Sequence, residues 1–358
     1  MTSGPVVDLI IAVHDPARPI RRAVESAIAG MTPERLRVSI VCHGIPARDI
    51  QKQLDGIDDS CVRLIEFVDG IASPSGPFNE GFRRATGDYV AVMGSDDYFE
   101  PGAVDALVAH VERRASEVVL VRLRHQSGEV LRNPLVRPRR TRDLDAVSDR
   151  LFYRTAPLGL IRRELVERNG LRFDPAMPVG EDLEFGVWLW SHASPIDFLA
   201  DSPCYVIGAD AADRVTMTPR PVSVAMYPLA HLIAQPWAIR LPPSVRRALA
   251  VKLLRIHVLG ALRVRGDAAD WGQQALAEFS GLVDRIIHFG PGCLRPFARA
   301  DRSVLEAIRG APNAEHLMEA VAARSRAPWW ATVVPRNPIF LADRESTLVR
   351  YLLYRVAP

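Results

Sequence analysis

The 358-residue chain has 48% hydrophobic and 24% charged residues with a formal net charge of +3, which excludes a disordered chain and allows about two packed domains. A balance this small, with no concentrated basic stretch beside stacking aromatics, excludes a nucleic-acid binder. Cys42, Cys61, Cys204 and Cys293 are scattered without ligand spacing, so neither a zinc site nor a disulfide framework is expected, and a reducing cytoplasm fits best.

In chain order, residues 1–5 lack a basic region followed by an apolar core, so no signal peptide is expected. The apolar run 6–13 predicts a strand that ends in His14-Asp15-Pro16, and Ile20, Ala23, Val24 and Ile28 then recur at helical spacing. Residues 38–42 predict a second strand ending at His43-Gly44. A short helix carries Ile50 and Leu54, and 62–67 predict a third strand. Strand-helix-strand order with short turns predicts a doubly wound, mainly parallel sheet. A Gly/Ser/Pro loop covers 69–77, a helix follows over 79–85, and the apolar strand 89–93 delivers Gly94-Ser95-Asp96-Asp97. Ligands bind at the carboxyl ends of such strands, and His14-Asp15, His43-Gly44 and Asp96-Asp97 all fall there.

A helix over 101–114 and a strand over 118–123 come next, then the basic, proline-containing segment 137–142, which reads as a solvated loop. Gly180-Glu181-Asp182 opens a helical pattern through Leu183, Phe185, Trp188 and Leu189. Each acidic cluster also has a plain structural use: Asp97 with Glu100, and Asp182 by itself, have the residue types that cap helices. Beyond about 219 only helical periodicity remains, over 245–264, 275–287, 304–308 and 314–323. This divides the chain into a 1–218 catalytic unit and a helical 219–358 unit. The uncharged stretch 221–239 is broken by Pro228 and Pro236 and is a poor membrane span. His231, His257 and His288 read as packed or surface residues. The amphipathic tail 348–355 permits peripheral membrane contact, although docking onto neighbouring helices is the commoner use of such a stripe. Lys52 and Lys252 are the only lysines, a bias that reads as a coding effect.

Four elements in this order resemble the family 2 inverting glycosyltransferases of the GT-A fold over residues 6–216. They are Ile10-Ile11-Ala12-Val13-His14-Asp15, Asn79-Glu80-Gly81 with Ala85-Thr86-Gly87-Asp88-Tyr89, Ser95-Asp96-Asp97, and Gly180-Glu181-Asp182. The resemblance implies transfer of a sugar from a nucleotide-sugar donor, UDP type being the expectation, to a glycan or lipid-linked acceptor hydroxyl. It implies a divalent cation, Mn²⁺ or Mg²⁺, held by Asp97, with Asp96 on the ribose or reaching the cation through water. It makes Asp182 the base, with Glu181 its neighbour, and puts His14 and Asp15 at the nucleotide. His43 stands where the family commonly has an acidic base reader. Asn79 either faces the donor or bonds the loop backbone. Arg214 either clamps the diphosphate or lies on the surface. Gly94 departs from the family pattern, where an acidic residue often precedes Ser95. These departures leave a catalytically impaired nucleotide-sugar-binding scaffold as the alternative. A nucleotidyltransferase is a third reading, without a glycine-rich phosphate loop to support it. Oligomeric state is not readable from the sequence.

Overall fold

The computed structural model describes residues 4–177, 179–210, 220–310 and 313–356. Its frame is a seven-stranded sheet in the order β10-β6-β9-β4-β1-β2-β3, built from β1 (Val7–Val13), β2 (Leu36–His43), β3 (Val62–Phe67), β4 (Tyr89–Gly94), β6 (Val118–Val121), β9 (Gly159–Arg162) and β10 (Ile196–Leu199). All pairings are parallel except those of β9 with β4 and β6. These strands are near-continuous apolar runs because helices cover both faces of the sheet. The covering helices of this half are α1 (Ile20–Ile28), α2 (Ala47–Gln51), α3 (Ser75–Arg84), α4 (Ala103–Arg113), α5 (Arg163–Arg168) and α6 (Glu181–His192).

The predicted strand 118–123 divides at Arg122. Its second part, β7 (Leu123–His125), leaves the main sheet and joins β5 (Tyr98–Phe99), β8 (Val130–Leu131) and β11 (Tyr205–Ile207) in the order β5-β11-β7-β8. Arg122, a lone charge in the otherwise apolar run 118–123, marks the break, and past Leu123 the strand is only partly buried. The second sheet lies immediately after the Asp96-Asp97 turn, and through it β11 returns to that turn.

The remainder is helical: α7 (Val222–Ala234), α8 (Pro236–Ile239), α9 (Pro243–Lys252), a π-turn over Leu253–Val258, α10 (Leu259–Val264), α11 (Gln273–Phe289), α12 (Arg299–Gly310), α13 (Ala314–Ser325) and α14 (Thr347–Val356). One apolar core joins this part to the sheet, running from Ile10 and Val92 through Phe185 and Leu189 to Leu249, Leu254 and Leu305. The basic segment is a solvated loop, as its sequence suggests, with residues 137–140 and 142 exposed and Arg137 tied to the buried Asp149 at 2.7 Å. No described helix is long and apolar enough to cross a membrane.

Candidate active site

Strand register assembles the site. Val13 pairs with Cys42 and Ala12 with Gly94, while His43 pairs with Phe67, so the residues that follow these positions emerge along one edge. A cleft of about 500 Å³ opens there, lined by His14, Arg18, His43, Ser95 and Asp96 together with the 70–78 segment. Its volume suits a nucleotide-sized ligand.

His14 and His43 both line this cleft. His43 is not alone, because its Nε2 lies 2.7 Å from Oδ1 of Asp69, just past β3. The acid absent after the second strand is thus supplied after the third. Asp15 is spent locally: its Oδ1 accepts from the Ala17 amide at 2.8 Å, and it does not line the cleft. Asn79 takes the second of its two readings. Its amide donates to the Phe173 carbonyl at 2.8 Å and accepts from the Phe173 amide at 2.9 Å. Phe173 in turn stacks on Phe185 of α6, with centroids 4.4 Å apart, so Asn79 fixes the loop that backs the helix carrying Asp182. Arg214 lies outside the described residues.

The two aspartates are held differently. Asp96 faces the cleft and pairs with Arg18 at 3.3 Å, while its carbonyl accepts from Arg22 of α1 at 2.6 Å. Asp97 turns toward β11 and caps no helix: its Oδ2 accepts from the Tyr205 hydroxyl at 2.5 Å and its Oδ1 from the Gly208 amide at 2.8 Å. Gly208 is there because only glycine lets the backbone come this close. A Cβ would stand 1.8 Å from the Asp96 carbonyl oxygen. Gly94 has a similar reason, since a Cβ there would meet Asp97 Oδ2 at 2.7 Å and Asp96 Oδ1 at 3.2 Å. A third acid at 94 would be pressed against two carboxylates of like charge. The departure from the family pattern is therefore accommodated by the local geometry, which removes much of the motive for the scaffold alternative.

Burial pushes the Asp97 carboxyl up, and the Asp96 charge adds to the rise, against hydrogen bonds from Tyr205 and Gly208 that lower it. A partly buried anion in this state is what a divalent cation would discharge. Among the described residues no three His, Cys, Asp or Glu side chains cluster as a complete metal cage. That suits Mg²⁺ or Mn²⁺, which take one or two carboxylates and complete their shell with phosphate oxygens and water. The carboxylates present fit such an ion in kind: Asp96 on the cleft and Asp97 beside it would hold it.

At the head of α6, Gly180 adopts a left-handed conformation at φ 72° and sets Glu181 and Asp182 as the first helical residues. Asp182 therefore does not sit at the N-cap position itself. Burial raises the carboxyl of Asp182, and the Lys252 cation opposes the rise. Glu181 is raised by burial and by the charge of Asp182, and Arg220 pulls it back. Two neighbouring carboxyls with raised proton affinity, one with its own counter-cation, form a suitable setting for a base.

Lys252 has no exposure to solvent, and burial takes its ammonium down to about 7. Its Nζ lies 2.7 Å from Nε2 of His257, an imidazole that burial and the Lys252 charge keep neutral. The i→i+5 winding of the π-turn brings 252 and 257 to one face, where an α-helix would set them apart. His257 is thus a packed residue, as read from the sequence, with the buried Lys252 as its partner. Arginine cannot lose its proton at such a site, whereas lysine can. Replacing Lys252 by Met should therefore move the acid limb of the kcat/KM profile to higher pH, because Asp182 loses the cation that favours its charged form. Stability should respond in a second way. A lysine whose folded pKa is depressed loses native stability as pH falls from about 10.5 through about 7, and Lys252→Met should abolish that slope in denaturant melts. An unmoved acid limb would remove Lys252 as the partner of Asp182.

A mainly parallel α/β sheet with nucleotide-site residues at its carboxyl edge and an acid pair turned under a second small sheet defines a GT-A type nucleotide-sugar site. Residues 8–170 match the family model "Glycosyl transferase family 2", which makes this segment a family 2 glycosyltransferase domain. It is 30% identical over 191 residues to the succinoglycan biosynthesis protein ExoO of Rhizobium meliloti (strain 1021), covering 50% of this chain and 53% of ExoO. It is 23% identical over 132 residues to the poly(ribitol-phosphate) β-N-acetylglucosaminyltransferase TarS of Staphylococcus aureus (strain Mu50), covering 37% of this chain and 23% of TarS. These matches span about half of one relative's length and a quarter of the other's. The crystal structure of S. aureus TarS 1–349 in complex with UDP-GlcNAc aligns with a TM-score of 0.75 at 15% identity, over 89% of this chain and 91% of that one. The shared fold thus includes the helical C-terminal part. The mannosyltransferase PcManGT of Pyrobaculum calidifontis, solved with GDP-Man and Mn²⁺, aligns at 0.50 with 14% identity over 90% and 88% of the two chains.

Several residues of the site carry no motif: Asp69, Tyr205, Gly208, Lys252 and His257. Only Lys252 had a signal in the sequence, as a lone charge inside the apolar run 248–254.

Proposed function

We propose that this chain is a metal-dependent inverting glycosyltransferase that moves a sugar from a UDP-type donor to a glycan hydroxyl in surface polysaccharide assembly. The observation that carries the reading is the pairing of a cleft lined by Asp96 with a base carboxylate, Asp182, whose charge is answered by a buried lysine. UDP-GlcNAc in the TarS structure supports the donor class, and the names of ExoO and TarS support a polymeric acceptor.

In this reading His14 and the His43–Asp69 pair hold the nucleoside, while Asp96 lies over the ribose. Asp182 takes the acceptor proton as the acceptor oxygen attacks the anomeric carbon. The new C–O bond forms on the face opposite the breaking bond to the diphosphate, so the anomeric centre inverts. Glu181 stands beside the base, its own carboxyl raised by burial and by the Asp182 charge. A divalent cation on Asp97 would neutralise charge on the departing diphosphate. Residues 1–218 supply the catalytic groups, and the 219–358 helices supply Lys252 and His257 from behind. Four buried free thiols favour a reducing compartment, the cytoplasm, with the membrane's inner face as the place of a lipid-linked acceptor.

Purified protein supplied with Mn²⁺, a panel of nucleotide sugars and glycan acceptors should release nucleoside diphosphate only when donor and acceptor are both present. Pyrophosphate release from a nucleoside triphosphate would instead assign a nucleotidyltransferase, and donor binding without turnover would assign a scaffold.

A further inference from the structure

A second concavity lies on the flank of α6 away from Asp182. It measures about 330 Å³ and is formed by Trp188 and Glu184 of α6, His231 of α7, Trp237 of α8, and Arg172 and Asp174 of the preceding turn. Trp188 lies six residues after Asp182, about 9 Å along the helix at 1.5 Å per residue and well round its circumference. One rigid helix therefore carries the base at its head and this notch on its side.

The notch is built rather than incidental. Glu184 is clasped from two sides: Oε2 lies 3.1 Å from Nε2 of His231, and Oε1 accepts from the Trp237 indole at 3.3 Å. Gln235 lies 2.5 Å from the same His231 nitrogen. His192 stacks on Trp188 with centroids 4.6 Å apart and meets Trp237 edge-on at 5.7 Å. Two indoles and a carboxylate are thus held in fixed orientation on adjoining helices. The turn that supplies Arg172 and Asp174 is pinned by the Asn79 clamp on Phe173 and by the Ser75 hydroxyl donating to the Asp174 carbonyl at 3.1 Å.

Half-buried indoles beside a carboxylate and a guanidinium have a definite ligand chemistry. The C–H face of a pyranose is apolar with positive edges and packs on the negative face of an aromatic ring. Its hydroxyls donate to the lone pairs that a carboxylate keeps after two hydrogen bonds, and they accept from arginine. The notch sets two carboxylates, Asp174 and Glu184, against the one guanidinium of Arg172, a balance that disfavours a phosphate.

We propose that this notch is a glycan subsite that holds a pyranose residue of the acceptor chain, remote from the hydroxyl that receives the new sugar. The assignment rests on the transferase reading for its biological role, although glycan binding is measurable without it. It makes acceptor recognition bipartite, with the reacting end at Asp182 and an inner residue held on the flank of the same helix.

The test uses the full chain without donor, titrated with β-linked glucose, galactose and N-acetylglucosamine oligosaccharides of two to six residues and read by tryptophan fluorescence and calorimetry. At least one hexasaccharide should bind, and Trp237→Ala should weaken it about tenfold or more. Arg172→Ala, at an exposed position where folding is not at stake, should weaken the same ligand, whereas Trp330→Ala at a distant exposed site should not. In transfer assays the ratio of kcat/KM for long over single-residue acceptors should fall about tenfold in both notch variants. Retention of none of the oligosaccharides, or equal binding by Arg172→Ala and unaltered protein, would overturn the subsite. Oligosaccharide binding lost in the notch variants, in a protein that releases no nucleoside diphosphate, would keep the subsite and reject the transferase. Transfer with an unchanged long-to-short ratio would do the reverse.

Discussion

Asp182→Asn is expected to slow sugar transfer by about 10²–10⁴-fold, the range in which a positioned general base contributes, while donor binding stays intact. The amide keeps the shape of the carboxylate and loses its ability to take a proton. Removal of a buried charge often unfolds a protein by leaving its partner unpaired. Here the partner is Lys252, already held down to about 7, so without Asp182 it sheds its proton instead of remaining a bare buried cation. Thermal melts of the variant should therefore stay close to those of the unaltered chain. The unaltered enzyme should lose kcat/KM as pH falls through a pKa above the ordinary aspartate range, because burial raises Asp182. Equal transfer by Asp182→Asn and the unaltered chain would remove Asp182 as the base and leave Glu181 as the next candidate.

Asp97→Asn is expected to lower metal-dependent transfer by about 10²-fold or more, as loss of several kcal/mol of leaving-group stabilisation requires. An asparagine can keep its Oδ1 on the Gly208 amide and donate its Nδ2 to the Tyr205 hydroxyl, which can reverse its role and accept, so the turn that β11 embraces should persist. What disappears is the negative charge. The clean readout is thermal stabilisation by UDP with Mn²⁺, which in the unaltered chain should reach about 2.7 kcal/mol at a hundred times the dissociation constant and should shrink to the metal-free value in the variant. Donor binding and turnover that keep their Mn²⁺ dependence in Asp97→Asn would shift the ion to Asp96. In that case Arg18, which pairs with Asp96, would have to give way.

The first half of the site was legible because strand-end residues in a parallel sheet follow the apolar run that makes the strand. His14, His43, Asp96 and Asp97 announce themselves by position. Asp182 was legible because a carboxylate pair opens a helical pattern. Asn79 showed its chemistry and not its partner: an amide after a loop has the same sequence whether it faces ligand or backbone. Tyr205 and Gly208 were invisible for a different reason. They stand more than a hundred residues from the acid they hold, in and just after a three-residue strand with no pattern of its own. Glu184, Trp188, His231 and Trp237 were each readable as helix residues, but nothing along the chain says that they converge.

By itself the sequence determined the local alternation of strand and helix, the order of the acidic motifs and the absence of metal-cage or phosphate-loop patterns. Each of these rests on short-range periodicity and residue chemistry, which the chain carries in any conformation. Tertiary structure decided the rest. It turned Asp97 toward β11, set Asp69 beside His43, buried Lys252 against a neutral His257, and closed an aromatic notch on the helix that carries Asp182. Those outcomes depend on register, close backbone approach and burial, which arise only when distant segments pack. Burial also changes how strongly a carboxylate or an ammonium holds its proton, so even the chemistry of Asp182 and Lys252 is settled in the folded state.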